Sequence, residues 1–449
     1  MMRVNLFISS FRKILLLFLF LVALILCNEL LTYMLIDDTD SYTRLTMNEL
    51  YHQEANVDVL FLGTSHCYRS LDTSVTDKIL GVNTFNCGSS GQELDASYAL
   101  LVEAGKKYDL KKVYLEMYYN TYGYDNDERT VMTSTYIVSD YMKLSMNKIL
   151  YMLNSCTAEH WINAFFPARR NWRRIFESQY ISNLIAIKNT DYYKDYKYEE
   201  PPGAAEYYAG KGYVASNEAI LKENFSKEGH FLPAMRDLSS DNMNDLKRII
   251  EYCDKKDIEL ICFSAPMPDF RLCDAGDYDL YVYYISNLLS QFDIPYYDFN
   301  LCRDNYFTYD SNLFMDDEHL NGIGAEKFSE VFSKFFCGDI SSDQLFYSSY
   351  KEKICDKNEQ TYGLIYSIDF LEDVKNISFE AVQNREFDYC ASVFKKAGNM
   401  EDFTEVQFQK ALDTISLPVS ETGQLLIYIF NDEILVGGGE KTNEIIINY

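Results

Sequence analysis

The apolar positions of this chain fall into distinct regimes, and each predicts its own kind of element. From 57 to 117, and again from 241 to 336, short apolar runs alternate with amphipathic stretches. Residues 57–62 (VDVLFL) read as a strand covered on both faces, 84–87 as a second short strand and 112–117 (KVYLEM) as a third. Between them, 71–80 reads as a helix ending at Gly81, where a left-handed cap costs glycine little. The helix 93–106 places Leu94, Tyr98, Leu101 and Ala104 on one face. The second half repeats the rhythm: helix 241–256, strand 258–264, helix 278–292, strand 295–299, a loop over 313–321 and a closing helix 324–336. Alternation of this kind predicts an α/β fold built on a parallel sheet with helices on both faces, a three-layer arrangement.

Three stretches break that rhythm. Residues 120–240 are aromatic and helix-leaning, with a basic knot at Arg169, Arg170, Arg173 and Arg174 around Trp172 and a tyrosine-rich middle carrying Pro201-Pro202-Gly203. They read as an insertion bordering the α/β unit of 57–338. After 338, TYGLIYSIDF, VKNISFEAV, LLIYIF and EIIINY look like strands separated by polar turns, Gly437-Gly438-Gly439 marking one. A small β-rich C-terminal domain over 339–449, sandwich-like, is expected, its role glycan binding, simple capping or oligomer contact.

At the N-terminus, Arg3, Arg12 and Lys13 precede an apolar run from 14 to 36 that only Asn28, Glu29 and Thr32 interrupt. That is enough for the ~20 residues that span a bilayer. With no small-x-small cleavage site after it, and Leu26 before Cys27 unlike a lipoprotein signal, an uncleaved signal anchor over 1–36 is predicted. The basic flank then stays cytoplasmic, and residues from about Asp37 onward, beginning with the polar linker 37–56, are expected outside the plasma membrane.

Composition changes this picture in two ways. A net charge of −27, from 68 acidic and 41 basic residues, repels phosphate backbones and argues against nucleic-acid binding. The 38 Tyr and 29 Phe serve either as carbohydrate-facing surface or, for most of them, as core. The eleven cysteines form no recognisable disulfide framework and include no CxxC, although Cys67 and Cys87 fall near one another in the expected fold. The five histidines (52, 66, 160, 230 and 319) lack the short spacings of zinc sites, so no metal is expected.

Two stretches carry candidate chemistry. In Gly63-Thr64-Ser65-His66 a serine sits where a buried strand ends, which holds its hydroxyl at the rim of the sheet. In the loop before the last helix, Asp316 and His319 form an Asp-x-x-His pair. That spacing lets a carboxylate hold one imidazole nitrogen while the other faces outward to take a proton from a serine. The plainer alternative for His319 is an N-terminal helix cap or a packed loop residue.

These residues resemble the SGNH/GDSL hydrolase superfamily. Gly63-Thr64-Ser65-His66 looks like its nucleophile block, with Thr64 where Asp is usual. Asn86-x-Gly88-x-x-Gly91-Gln92 looks like its second block, and Asp316-x-x-His319 like its last. The resemblance implies Ser65 as nucleophile, His319 as general base and Asp316 as its orienting partner. The backbone N–H groups of Ser65 and Gly91 would form the oxyanion hole, each donor worth about 3 kcal/mol when well aimed. The third block departs: after KVYLEM come Tyr118-Tyr119-Asn120-Thr121, with neither the glycine nor the aspartate of the family. The remaining donor falls to Asn120, or to Glu116 or Gln92 in a variant arrangement. His66, Gln92, Glu116, Arg169 and Arg173 are the candidate substrate contacts. His66 otherwise only finishes the turn, and the arginines either grip an anionic polymer or lipid headgroups or pair with this protein's own carboxylates.

The resemblance covers 57–120 and 241–336. Together with the anchor it implies a membrane-tethered serine esterase or O-acyltransferase, needing no cofactor. Its substrates would be acyl groups, acetyl above all, of a cell-surface glycan or teichoic-type polymer, with a membrane-bound O-acyltransferase as a partner. The competing expectation is a surface protein of this fold that binds glycan without catalysis.

Overall fold

The computed structural model describes residues 2–118, 122–123, 125–126, 132–196, 204–220, 237–268, 272, 278–350, 352–353, 363–371, 373–382, 389–397, 404–410, 414–431 and 441–449. Asn120, Pro201-Pro202-Gly203 and Gly437-Gly438-Gly439 lie outside them. Five parallel strands are ordered β2-β1-β3-β6-β7, with β1 at Val59–Leu62, β2 at Thr84–Asn86, β3 at Lys112–Glu116, β6 at Glu259–Ser264 and β7 at Tyr296–Asp298. Registers such as Phe61↔Asn86 and Phe61↔Tyr114 align the strand ends that carry the loops of interest.

Alternate side chains of these strands enter two separate cores, as the period of two requires. On one face Leu60, Leu62, Val113, Leu115 and Leu260 pack with α5 (Leu94–Gly105), α11 (Ser240–Lys256) and α12 (Tyr278–Ser290). On the other, Phe61, Tyr114, Ile261 and Phe263 meet Phe328 and Phe332 of α13 (Gly322–Phe336). Phe332 contacts Phe61, Tyr114 and Phe263 edge-on at centroid distances of 5.9, 4.9 and 5.5 Å. Each such pair adds about 0.5–1.5 kcal/mol beyond simple burial. Much of the unusual aromatic content is therefore core.

The helix expected over 71–80 is α4 (Thr73–Leu80), ending at Gly81 with φ 69°, and a further short helix, α3 (Ser65–Ser70), precedes it at the turn after β1. The stretch 37–56, expected as a linker, instead contains α2 (Tyr42–His52). Its Met47 and Leu50 join the first core, and Glu49 accepts from Tyr208 Oη and Lys211 N at 2.6 and 2.7 Å.

The insertion holds short helices, α6 (Thr133–Ser139), α7 (Met146–Ser155), α8 (Trp161–Phe165), a 3-10 segment (Pro167–Phe176), α9 (Ser178–Lys188) and α10 (Asp191–Lys194). A hairpin of β4 (Glu206–Gly210) and β5 (Tyr213–Ser216) follows them. The hairpin docks on the sheet edge, Asn86 N donating to Lys211 O at 2.9 Å. A Cβ on Gly212 would lie 1.7 Å from Asn86 O, so only glycine fits there. The C-terminal region holds strands β8 (Gly363–Leu371), β9 (Val374–Val382), β10 (Tyr389–Ala397), β11 (Thr404–Lys410), β12 (Thr414–Pro418), β13 (Gly423–Asn431) and β14 (Lys441–Asn448), in two antiparallel sheets ordered β11-β10-β13-β14 and β12-β9-β8. One apolar helix, α1 (Met2–Leu35), contains a span Phe11–Leu35 long and apolar enough to cross a membrane or act as a signal sequence.

Candidate active site

In open parallel sheets, ligands collect beyond the carboxyl ends of the strands, where the strand order reverses direction. Here the chain runs from β1 to its neighbour β2 and then crosses to β3 on the other side, so that point lies between β1 and β3. Ser65 follows β1 directly, and Glu116 ends β3.

The turn is built tightly. Thr64 caps α3, its hydroxyl accepting from His66 N at 3.2 Å. The same threonine donates its N–H and its hydroxyl to Glu116 Oε2 at 2.7 and 2.9 Å. A side chain at Gly63 would put a Cβ 2.4 Å from that oxygen, so glycine lets the strand end approach the carboxylate. Glu116 is 1% exposed, and burial pushes its carboxyl up to about 7 against the lowering pull of the Thr64 bonds and of His319. A buried acid fastened to the Ser65 turn is a brace, and its burial keeps Glu116 from touching a substrate directly.

The loop carrying Asp316 and His319 is tied at both ends. Met315 N donates to His319 O at 2.9 Å, Asn321 N to Leu313 O at 2.9 Å, and the Asn321 side chain caps α13 by accepting from Gly324 N at 3.0 Å. Within this frame the Asp316 carboxylate accepts from the backbone N–H of Glu318 and His319 at 2.8 and 2.7 Å. His319 Nδ1 lies 2.9 and 3.0 Å from the two Asp316 oxygens, and its Nε2 lies 2.8 Å from Ser65 Oγ. With the ring proton on Nδ1, held by Asp316, Nε2 is the acceptor for the Ser65 hydroxyl. Burial raises the Asp316 carboxyl, but the His319 bond and charge and the two N–H donors outweigh it and bring it down to about 2. Ser65 is half-buried, so its hydroxyl remains reachable.

The second-block loop packs against the turn: Ser89 N donates to Gly63 O at 3.1 Å, and Asn86 bridges from Cys67 O (2.9 Å) to Gly88 N (2.9 Å). Gly91 is exposed at φ 60°, a left-handed conformation suited to glycine. The N–H of Ser65, first residue of α3, is one of the donors a helix start leaves over, and neither it nor the Gly91 N–H has a partner among the described residues. Gln92 is fully buried, its amide held by Ser89 and Ser97 at 2.9 and 3.0 Å; it stiffens the loop and does not face substrate.

His66 is 4% exposed and stacks between Tyr118 and His319, with centroids 4.4 and 4.6 Å away. Sequence spacing gave no sign of this stack, nor of Glu318 beside it. Among the described residues His66, Glu318 and His319 each offer a ligand atom within 4.8 Å of one another, a grouping that could hold a metal ion. An ion drawing on Nε2 of His319 would compete with Ser65 for it. Arg169 and Arg173 belong to the 3-10 segment beside α1, exposed and without a carboxylate partner among the described residues. Their neighbours Arg170 and Arg174 do pair, with Asp140 at 2.5 Å and Glu177 at 2.7 Å. The cysteines for which thiols are described, Cys67 and Cys87 included, are free.

No protein-family model matches this chain, and no curated protein matches it. Among solved structures, β-glucosidase 3B from Thermotoga neapolitana in complex with α-D-glucose aligns over 93% of this chain and 89% of that one, at 9% identity and a TM-score of 0.13. A score that low carries no argument about fold or function.

Proposed function

We propose that this protein is a membrane-anchored serine esterase or O-acyltransferase of the SGNH/GDSL kind, acting on acyl groups of cell-surface glycans outside the plasma membrane. The observation that carries the reading is the relay Asp316–His319–Ser65, with contacts of 2.9 Å and 2.8 Å, at the switch point of a parallel sheet. Ser65 Oγ attacks the acyl carbonyl as its proton passes to His319 Nε2, and Asp316 stabilises the imidazolium. The N–H groups of Ser65 and Gly91 receive the developing oxyanion. His319 then returns the proton to the departing alcohol, leaving an acyl-enzyme. Water completes an esterase cycle; a sugar hydroxyl completes a transfer. The anchor α1, its basic flank inside, keeps this chemistry close to the outer face of the membrane, where a teichoic-type polymer and a membrane-bound acyltransferase are found.

A fluorophosphonate probe tests the mechanism. The detergent-solubilised chain is expected to label stoichiometrically at Ser65 and to hydrolyse 4-nitrophenyl acetate, and Ser65→Ala to lose both. Full hydrolysis by Ser65→Ala, or an unlabelled Ser65 in folded protein, would overturn it.

A further inference from the structure

The polar interruptions of α1 all face one place. Asn28, Glu29 and Thr32 are spaced one and four apart, hence on one helix face, and all three line a cavity of about 790 Å³. Its size falls within the range of small-molecule sites. The opposite walls come from α2 and from the insertion helices.

The cavity has two chemically distinct ends. Leu24, Ile25, Phe165 and Phe166 make part of it apolar. About 18 Å along α1 from Leu24, at 1.5 Å per residue, the chain reaches Ile36 and the charged group around Asp38. There Lys188, 2% exposed, donates to Ile36 O at 2.6 Å and pairs with Asp38 at 2.7 Å. Arg44 bonds Tyr193 O at 2.7 Å and stacks on the Tyr193 ring. Lys148 donates only to Met142 O, at 3.1 Å, and makes no ion pair among the described residues. The lining holds Arg44, Lys143, Lys148 and Lys188 against Glu29, Asp38 and Asp140, and Asp140 is already paired with Arg170. In a protein of net charge −27, this wall carries a surplus of cations.

The surroundings point to lipid. The 3-10 segment and α9 clasp the end of α1, with Asn171 Nδ2 and Tyr180 Oη donating to Leu35 O at 3.1 and 3.2 Å. The same segment exposes Trp172, Ile175 and Phe176, the last 80% exposed, next to Arg169 and Arg173. Aromatic and basic side chains together at the end of an apolar span are what a lipid–water boundary selects.

We propose that this cavity binds a membrane lipid with an anionic phosphate head, its acyl chain along Leu24 and Ile25 and its head at Lys148. The inference rests on reading α1 as a retained anchor and is independent of the chemistry at Ser65. The test uses the full chain in detergent by native mass spectrometry, with dioleoylphosphatidylglycerol, dioleoylphosphatidylcholine and free sn-glycerol 3-phosphate as probes. A one-to-one adduct is expected with phosphatidylglycerol, at least tenfold weaker binding of phosphatidylcholine, and no displacement of the lipid by glycerol phosphate at equal concentration. Lys148→Gln should weaken phosphatidylglycerol about tenfold while its circular-dichroism melt stays unchanged. Ile25→Trp, which fills the apolar end, should weaken both lipids and so serves as the second variant. Equal binding of the two lipids, displacement by glycerol phosphate, or insensitivity to both substitutions would overturn the proposal. The intact mass separates the two ideas: a chain lacking 1–36 refutes the anchor, whereas a full-length chain without lipid selectivity refutes the site alone.

Discussion

Glu116 offers a quantitative check on how the nucleophile turn is held. Its carboxyl ionises near 4.5 when free and about 7 when buried under Thr64. The unfolded chain therefore releases this proton first. Stability from the group is complete below about pH 4.5 and is lost as pH rises through 7. Applied to those two values, linkage gives a loss on the order of 2–3 kcal/mol between pH 5 and pH 8. Glu116→Gln keeps an oxygen for the Thr64 N–H, at 2.7 Å in the wild type, but does not titrate. Urea unfolding of both proteins in detergent, followed by near-ultraviolet circular dichroism, measures the difference. Other buried acids, such as Asp298 raised to about 6 by burial, are common to both proteins and cancel. The stability gap between variant and wild type should move by roughly 2–3 kcal/mol in the variant's favour from pH 5 to pH 8. A gap constant within 0.5 kcal/mol, on the order of ordinary surface-mutation noise, would refute the buried-acid argument.

Two further outcomes follow from the site and its frame. Asp316→Asn should cut the labelling and hydrolysis rates by about 10⁴, because an amide donor at Nδ1 leaves the proton on Nε2 facing Ser65; a loss under tenfold would mean that Asp316 does not set the tautomer. Gly212→Ala should cost on the order of 3 kcal/mol by thermal melt, since its Cβ meets the Asn86 carbonyl. Gly210→Ala, with positive φ but open space around it, should cost only about 1 kcal/mol, so equal shifts for the two would remove the steric explanation.

The sheet was legible because its strands are apolar on both faces and its helices punctuated; β3 was expected at 112–117 and runs Lys112–Glu116. The Asp-x-x-His pair was legible because the spacing is local. Less legible was whatever depends on partners distant in sequence. Glu116 reads in isolation as a polar residue ending a strand, and only Thr64, 52 positions earlier, reveals it as a brace. The helix α2 hid in an acidic stretch because its buried set, Arg44, Leu45, Thr46, Met47 and Leu50, includes polar members. The β4–β5 hairpin hid for a related reason: Tyr207 and Tyr208 give no clean alternation, and its position is fixed by contact with Asn86.

Ser65 and His319 are 254 positions apart in the chain. A ribosome adding roughly 5–20 residues per second needs on the order of 10–50 s to cover that distance. Through that interval the serine exists without its base, as an alcohol of ordinary reactivity. On the proposed mechanism the chain is thus silent while it is being made, and its chemistry switches on only when the last helix of the α/β unit docks. Under that mechanism the order of synthesis acts as a clock that keeps the proposed nucleophile from meeting an ester before the fold around it is complete.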